Sequence, residues 1–287
     1  MSGPYRTLIA APVLARHLEN SDWVVVDCRF TLNDPDRGAR DFASSRIPGA
    51  RYAHLDRDLS APISSSSGRH PLPQPDRFAG TLAALGITPH RQVIVYDDSF
   101  GSIAARLWWL LRWVGHDAVA LLDGGWPVWK RHALAIEEGT PRVLPGTALY
   151  PVRPDPCIAV DFAFVDRIRS AADWRLIDAR PEDRFTGERE SIDPVAGHIP
   201  GSINRTFEDN LHFDGCFLPA AELRESLLES LDGTPAEQAV HTCGSGVTAC
   251  HNLLAMEHAG LPGGKLYPGS WSEWITNPAR PVALGAA

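Results

Sequence analysis

Hydrophobic residues in this chain fall into short, continuous, β-branched runs, and each run ends in polar residues. Four such runs span residues 23–29, 92–97, 174–180 and 238–243. Helical patterns follow the second and the fourth run. This alternation predicts an α/β fold with parallel strands, in which ligand sites lie at the carboxyl ends of the strands.

The same landmarks occur twice along the chain, in the same order. The phrase Arg46–Ala50 (RIPGA) follows the first run, and His198–Ser202 (HIPGS) follows the third. Further on, the tryptophan-containing segment Leu122–Trp129 matches Tyr267–Trp274. Such repetition predicts two copies of one domain, each a mostly parallel sheet flanked by helices.

The length and composition of the chain agree with two domains. A chain of 287 residues, 44% of them apolar and 22% charged, has the size and balance of a two-domain globular protein. We expect the two copies to cover residues 1–135 and 159–287. A stretch rich in glycine and proline predicts a linker over residues 136–158.

The segment His241–Cys250 (HTCGSGVTAC) contains the strongest candidate for chemistry. Cys243 ends an apolar run, a glycine-rich loop opens after it, and a helical pattern follows. Backbone N–H groups of such a loop and the N-terminus of a helix stabilise a thiolate, the reactive form of cysteine. Cys243 is therefore predicted to be a nucleophile. The alternative is an inert buried thiol, which is the role expected of Cys250 on the helix.

Only the second copy has this thiol, because Asp97 ends the corresponding run in the first copy. A carboxylate cannot act as a soft sulfur nucleophile. The simplest interpretation is that the second copy is catalytic and the first copy supports it.

The net charge and the cysteine content limit which partners the protein binds and indicate its cellular compartment. A net charge of −8 argues against nucleic acid or an anionic membrane as a partner, so an anionic substrate needs a local basic site. No run approaches the roughly 20 apolar residues that span a bilayer, and the start of the chain lacks a secretory pattern. Five scattered cysteines indicate free thiols in a reducing cytoplasm.

Neither a metal-ligand spacing nor a nucleotide-binding fingerprint occurs, so we expect no metal and no cofactor.

Three motifs together resemble the two-domain rhodanese-type sulfurtransferases over essentially the whole chain. They are the loop CGSGVTA after an apolar strand, GHIPG upstream of it and GSWSEW downstream. Within that family the loop is most similar to that of the 3-mercaptopyruvate sulfurtransferases. The resemblance implies that Cys243 takes a sulfane sulfur from a small anionic donor and becomes a persulfide. It then passes that sulfur to cyanide, a thiol or a thioredoxin-like protein.

The resemblance also implies roles for other residues. Ser245 would form a relay with His70 and Asp56, which follow the RIPGA phrase. The alternatives are a loop serine that caps the helix, an ordinary exposed histidine and a turn aspartate. The rest of the loop would line the donor site with N–H groups; its residues are Gly244, Gly246, Val247 and Thr248.

Two arginines are candidates for binding the anionic group of the donor. Arg184 matches the family's anion-binding arginine, and a planar guanidinium grips a carboxylate or sulfonate in two places. Arg189 lies where a displaced second arginine would be, but its acidic neighbours indicate a solvated surface charge equally well. The Gly244-Ser245 pair favours 3-mercaptopyruvate, whereas the irregular second arginine leaves thiosulfate as the alternative donor.

Two other function classes share features with this pattern. A cysteine phosphatase of this fold class needs an arginine six positions after its cysteine, and this chain has Ala249 there. This absence argues strongly against phosphatase chemistry. The second class is a module that carries a persulfide and turns over slowly, and it remains an alternative to an enzyme with rapid turnover.

Overall fold

Each half of the chain builds a parallel β-sheet, as the runs of β-branched residues predict. The computed structural model describes residues 3–141 and 145–286. The described residues divide into two compact units. The first comprises the chain up to Ala61 together with Pro73–Pro154 and Phe213–Cys216, and the second comprises Pro62–Leu72, Asp155–His212 and the chain from Phe217 onwards. Residues 142–144 of the predicted linker, and residues 1, 2 and 287 of the predicted domains, lie outside the described part of the chain.

The first unit contains a five-stranded parallel sheet in the order β1-β6-β5-β2-β4. Its strands are β1 (Leu8–Ile9), β2 (Trp23–Asp27), β4 (Arg51–Tyr52), β5 (Gln92–Tyr96) and β6 (Val119–Leu122), and β3 (Ser45–Arg46) pairs separately with β7 (Glu137–Glu138). Its helices are α1 (Ala11–Ala15), α2 (Arg37–Ser44), α3 (Leu55–Asp58), α4 (Pro75–Ala84), α5 (Ala104–Trp113) and α6 (Gly125–Arg131). The apolar face of the sheet packs on Trp126 and Trp129.

The second unit contains a four-stranded parallel sheet in the order β11-β10-β8-β9. Its strands are β8 (Arg175–Asp178), β9 (Ser202–Asn204), β10 (Ala239–Thr242) and β11 (Lys265–Leu266). Its helices are α7 (Phe162–Ile168), α8 (Glu182–Thr186), α9 (Ala220–Leu231), α10 (Ala249–His258) and α11 (Ser270–Trp274), with 3-10 turns at Phe207–Asn210 and Ala236–Gln238. Its core contains Trp271 and Trp274, the counterparts of Trp126 and Trp129. The predicted fold class is therefore confirmed.

A buried ion pair at the end of one strand recurs in both units. In the first unit Arg29 Nη2 lies 2.6 Å from Asp27 Oδ2, and the guanidinium packs over the ring of Trp126. In the second unit Arg180 Nη2 lies 2.7 Å from Asp178 Oδ2, and its guanidinium packs over Trp271. The repeat thus extends from the sequence to individual side-chain contacts.

The described residues contain no helix with the length and apolar character needed to cross a membrane.

Candidate active site around Cys243

Strand β10 delivers Cys243 to the carboxyl end of the second sheet. The residue follows Thr242 directly, and only 2% of it is exposed. Its backbone N–H donates to Ser270 Oγ over 3.0 Å, and its carbonyl oxygen accepts from Trp271 N–H over 3.0 Å. The start of helix α11 therefore fixes the backbone from which the thiol projects.

Gly246 makes the turn that carries the loop from Cys243 into helix α10. Its φ of +73° lies in the left-handed region, and a β-carbon placed there would be 2.4 Å from the carbonyl oxygen of Pro268. Both facts require glycine at this position. Beyond the turn, Cys250 is fully buried and its Sγ lies 3.3 Å from the Gly246 carbonyl oxygen, as expected for a core thiol.

The corresponding loop of the first unit shows what such a loop binds. The Asp97 carboxylate accepts four backbone N–H hydrogen bonds of 2.8–2.9 Å, from Ser99, Gly101, Ile103 and Ala104. Burial raises the pKa of Asp97, and these main-chain hydrogen bonds lower it again in part, so they offset part of the cost of an anion at this strand end.

In the Cys243 loop, Ser245 and Val247 take the repeat positions of Ser99 and Gly101, two of these four donors. Neither of their N–H groups finds a hydrogen-bond acceptor within residues 3–141 and 145–286. Gly244 and Thr248 share this property, while Gly246 supplies the turn. The loop therefore offers main-chain donors beside a thiol, where the first unit uses the same kind of donors for its own carboxylate.

The segment Pro62–Leu72 brings His70 to this loop within the second unit. His70 and Ser245 are both buried, and His70 Nδ1 lies 2.7 Å from Ser245 Oγ. Two of the three predicted relay residues are therefore in hydrogen-bond contact. Asp56 lies in helix α3 of the first unit, and its part in the relay stays a prediction.

Arg184, in helix α8, is held by two carboxylates. Its Nη2 donates to Glu190 Oε2 over 2.9 Å and to Asp193 Oδ2 over 2.8 Å. Burial raises the pKa of Glu190, but hydrogen bonds from Arg184 and from the N–H groups of Asp193 and Ile192 lower it by more. This carboxyl group therefore stays ionised below its usual pH range and keeps Arg184 in place.

Arg189 is placed differently from Arg184. Its side chain is 79% exposed, and its Nη2 lies 2.5 Å from Asp183 Oδ2. These are the surroundings of a solvated surface charge, which was the alternative interpretation of this residue.

Several groups that contribute to the site were missed in the sequence. Arg180, two residues after the end of strand β8, is buried, and burial lowers its pKa, whereas the carboxylates of Asp178 and Glu190 raise it above the ordinary value. Its Nη1 lies 3.8 Å from Glu190 Oε2, the carboxylate oxygen that also holds Arg184. The matching Asp27-Cys28-Arg29 phrase of the first copy was the available signal. Arg69 was missed as well, because nothing local indicates that its segment joins the second unit.

The described residues contain no cluster of three or more His, Cys, Asp or Glu side chains arranged to hold a metal ion. The chemistry that the described groups offer is that of a buried thiol, main-chain donors, a Ser–His pair and ordered guanidinium groups. This set suits nucleophilic attack on an anionic substrate whose product carries negative charge.

Comparison with known proteins agrees with this arrangement. The model of the rhodanese-like domain matches residues 10–132 and again residues 163–277. The chain is 49% identical over 280 residues to the probable 3-mercaptopyruvate sulfurtransferase of Pseudomonas aeruginosa, covering 97% of this chain and 98% of that protein. It is 36% identical over 284 residues to the putative thiosulfate sulfurtransferase SseB of Mycobacterium tuberculosis, covering 98% of each.

The fold is also similar to that of a solved structure. The crystal structure of SseA, a 3-mercaptopyruvate sulfotransferase from Escherichia coli, superposes with a TM-score of 0.81 at 31% identity, covering 93% of this chain and 100% of SseA. The two family matches coincide with the two repeats, and they confirm the resemblance that the motifs predicted. The chain belongs to the rhodanese-like family and contains two rhodanese-like domains.

Proposed function

We propose that this chain is a sulfurtransferase that carries sulfur on Cys243. The observation that supports this most directly is the position of the thiol at the mouth of a loop in which the N–H groups of Gly244, Ser245, Val247 and Thr248 have no acceptor among the described residues. The Asp97 carboxylate in the first unit supports the ability of such a loop to satisfy a negative charge.

The favoured donor is 3-mercaptopyruvate. The Cys243 thiolate attacks the donor's sulfur, and the electron pair of the breaking carbon–sulfur bond passes to carbon, giving the enolate of pyruvate. The proton of the donor's thiol leaves the new persulfide, and a proton is added to the enolate carbon. In the second half, an acceptor thiolate or cyanide attacks the outer sulfur and releases Cys243 as a thiolate.

Ser245 and His70 serve the first half of the reaction. A serine hydroxyl oriented by a buried histidine is suited to donate a hydrogen bond to the carbonyl oxygen, where negative charge develops as the enolate forms. Asp56 would complete this relay. Arg184 would hold the carboxylate of the donor, and Gly244, Gly246, Val247 and Thr248 would form the N–H-lined wall.

The second candidate donor is thiosulfate, which is favoured by the 36% identity to a protein named as a putative thiosulfate sulfurtransferase. Thiosulfate releases sulfite and needs no enolate stabilisation, so the Ser245–His70 pair would have no role with this donor. A slow persulfide carrier uses the same first half-reaction and differs only in turnover.

We propose that the reaction takes place in the cytoplasm, because all five cysteines are free thiols.

The test is mass spectrometry of the protein after incubation with each donor. We expect one added sulfur atom on Cys243, and none in Cys243→Ser. The exposed Cys157 offers a matched control, so Cys157→Ser should accept sulfur like the wild type. An unmodified Cys243 in the wild type would contradict both the enzyme and the carrier.

The donor is tested by kcat/KM under identical conditions. We expect 3-mercaptopyruvate to exceed thiosulfate, and Arg184→Ala to lower kcat/KM by about 10- to 100-fold. A tenfold preference for thiosulfate would overturn the choice of donor and leave the sulfur-transfer proposal intact.

A further inference from the structure

We propose that Arg69 is the second guanidinium of the donor site and that, with Arg184, it binds the donor's carboxylate and sets the preference for a carboxylate-bearing donor. This inference rests on the proposed function. It assigns a residue outside the predicted site and gives it the role that the sequence offered to Arg189.

The first observation is the space around Gly244, the residue after the nucleophile. A β-carbon placed on Gly244 would lie 3.2 Å from Arg69 Nη2, 3.6 Å from Arg184 Nη1 and 3.8 Å from Arg184 Nη2. Both guanidinium groups therefore reach the side of the loop where glycine leaves room. A donor whose sulfur is attacked by Cys243 therefore lies beside the residue that both guanidinium groups approach.

The second observation is that one buried carboxylate ties the two arginines together. Asp193 Oδ1 accepts from Arg69 Nη1 over 2.7 Å, and Asp193 Oδ2 accepts from Arg184 Nη2 over 2.8 Å. Asp193 thereby fixes the spacing of two cations that would otherwise repel each other. A pre-spaced pair of guanidinium groups matches the geometry of a carboxylate and loses little entropy on binding it.

The third observation concerns the nitrogens that Asp193 and Glu190 leave unused. Arg69 Nη2 and Arg184 Nη1 make no hydrogen bond to the described part of the chain. These two nitrogens are the ones nearest to the β-carbon position of Gly244. Asp193 and Glu190 thus bind the nitrogens that point away from Gly244. The nitrogens without a hydrogen bond, Arg69 Nη2 and Arg184 Nη1, face the loop.

The segment that carries Arg69 is anchored so that this position is fixed. The N–H of Arg69 donates to Ser272 Oγ over 3.0 Å. A β-carbon on Gly68 would lie 2.5 Å from the Gly269 carbonyl oxygen, so only glycine permits this close approach. Arg69 is 23% exposed, whereas Arg189 is 79% exposed. Of these two arginines, Arg69 has the preorganised position that binding requires.

Alkylation of Cys243 tests the proposal without relying on sulfur transfer. Iodoacetate and iodoacetamide are of similar size, and the thiolate displaces iodide from both, but only iodoacetate bears a carboxylate. We expect Arg69→Ala to lower the ratio of the iodoacetate rate to the iodoacetamide rate by about tenfold, the loss expected for a hydrogen bond between charged groups. Arg69→Lys should restore part of the ratio, because it keeps the charge without the planar fork.

Two further variants give the comparison its controls. Arg169→Ala removes a guanidinium paired with the exposed Asp166 and should leave the ratio unchanged. Arg189→Ala tests the rival arginine and should also leave it unchanged. In steady state, Arg69→Ala should raise KM for 3-mercaptopyruvate more than it lowers kcat.

The outcomes separate this inference from the proposed function. An equal loss of both alkylation rates in Arg69→Ala would mean structural damage at the loop and would overturn the proposal, as would a ratio that depends on Arg189 instead. If the ratio depends on Arg69 but the wild type takes up no sulfur, the carboxylate site stands and the proposed function fails.

Discussion

His70 Nδ1 lies 2.7 Å from Ser245 Oγ although 175 positions separate the two residues in the chain. Both side chains are buried, so the hydrogen bond is shielded from water and holds the hydroxyl in one orientation. A serine in this state differs from a loop serine that merely caps a helix. Ser270, not Ser245, accepts from the backbone N–H of Cys243.

Removing either partner of this pair should slow the reaction with 3-mercaptopyruvate. We expect Ser245→Ala and His70→Asn each to lower kcat about 100-fold, because the developing enolate charge loses its donor. The double variant should be no worse than either single one, since the pair acts as a unit. Ser66→Ala, an exposed serine of the same segment, is the control. Losses that multiply in the double variant would show that the residues act separately.

Gly246 should tolerate no side chain, for two separable reasons. Gly246→Ala combines a left-handed backbone with a close contact to the Pro268 carbonyl oxygen. We expect it to lower the free energy of unfolding by roughly 2–5 kcal/mol and to abolish persulfide formation. Gly233 has a φ of +80° but nothing within 4 Å of its β-carbon position. Gly233→Ala should therefore cost only about 1 kcal/mol and keep activity, as urea unfolding and donor assays would show. Equal losses in the two variants would contradict the proposed clash.

Asp97 should be a stabilising residue of the first unit. Asp97→Ala leaves four N–H groups, two buried and two part-buried, without their acceptor, and we expect it to lower the free energy of unfolding by several kcal/mol. Asp97→Asn keeps one oxygen acceptor and should cost less. Amide hydrogen exchange at Ser99 and Gly101 should accelerate in the order wild type, Asn, Ala. Unchanged exchange in the Ala variant would show that these bonds contribute nothing.

His241 should make stability depend on pH below neutrality. Burial, with a smaller effect from Arg205, lowers the pKa of this imidazole from 6.5 to about 3. Because the unfolded chain binds the proton more tightly, the stabilising contribution is complete above pH 6.5 and is lost as pH falls towards about 3. The slope is at most about 1.4 kcal/mol per pH unit, the value for one proton.

Urea unfolding at a series of pH values tests this dependence. His241→Leu removes the titrating group and should flatten the stability profile between neutral pH and the acid limb. His90→Gln, at an exposed position, is the matched control and should retain the wild-type slope. A slope that persists in His241→Leu would assign the pH dependence to other groups.

The sequence by itself determined the fold class, the duplication and the position of the thiol. Short β-branched runs, their polar ends and the glycines after Cys243 are local signals, because strand periodicity and turn chemistry depend on neighbouring residues. An alignment of the two repeats likewise showed that Asp97 in the first copy stands where the second copy has Cys243. These features required no knowledge of long-range contacts.

Only the tertiary structure decided which side chains surround the loop. The segment Pro62–Leu72 belongs to the second unit, so Arg69 and His70 reach the Cys243 loop across a sequence separation that no local pattern encodes. Arg184 and Arg189 both have acidic neighbours in the sequence, yet Glu190 and Asp193 order the first while Asp183 pairs with the second at the surface. The burial of a charged group and the identity of its partners depend on tertiary packing. A local sequence pattern does not contain this information, because the packed residues come from distant parts of the chain.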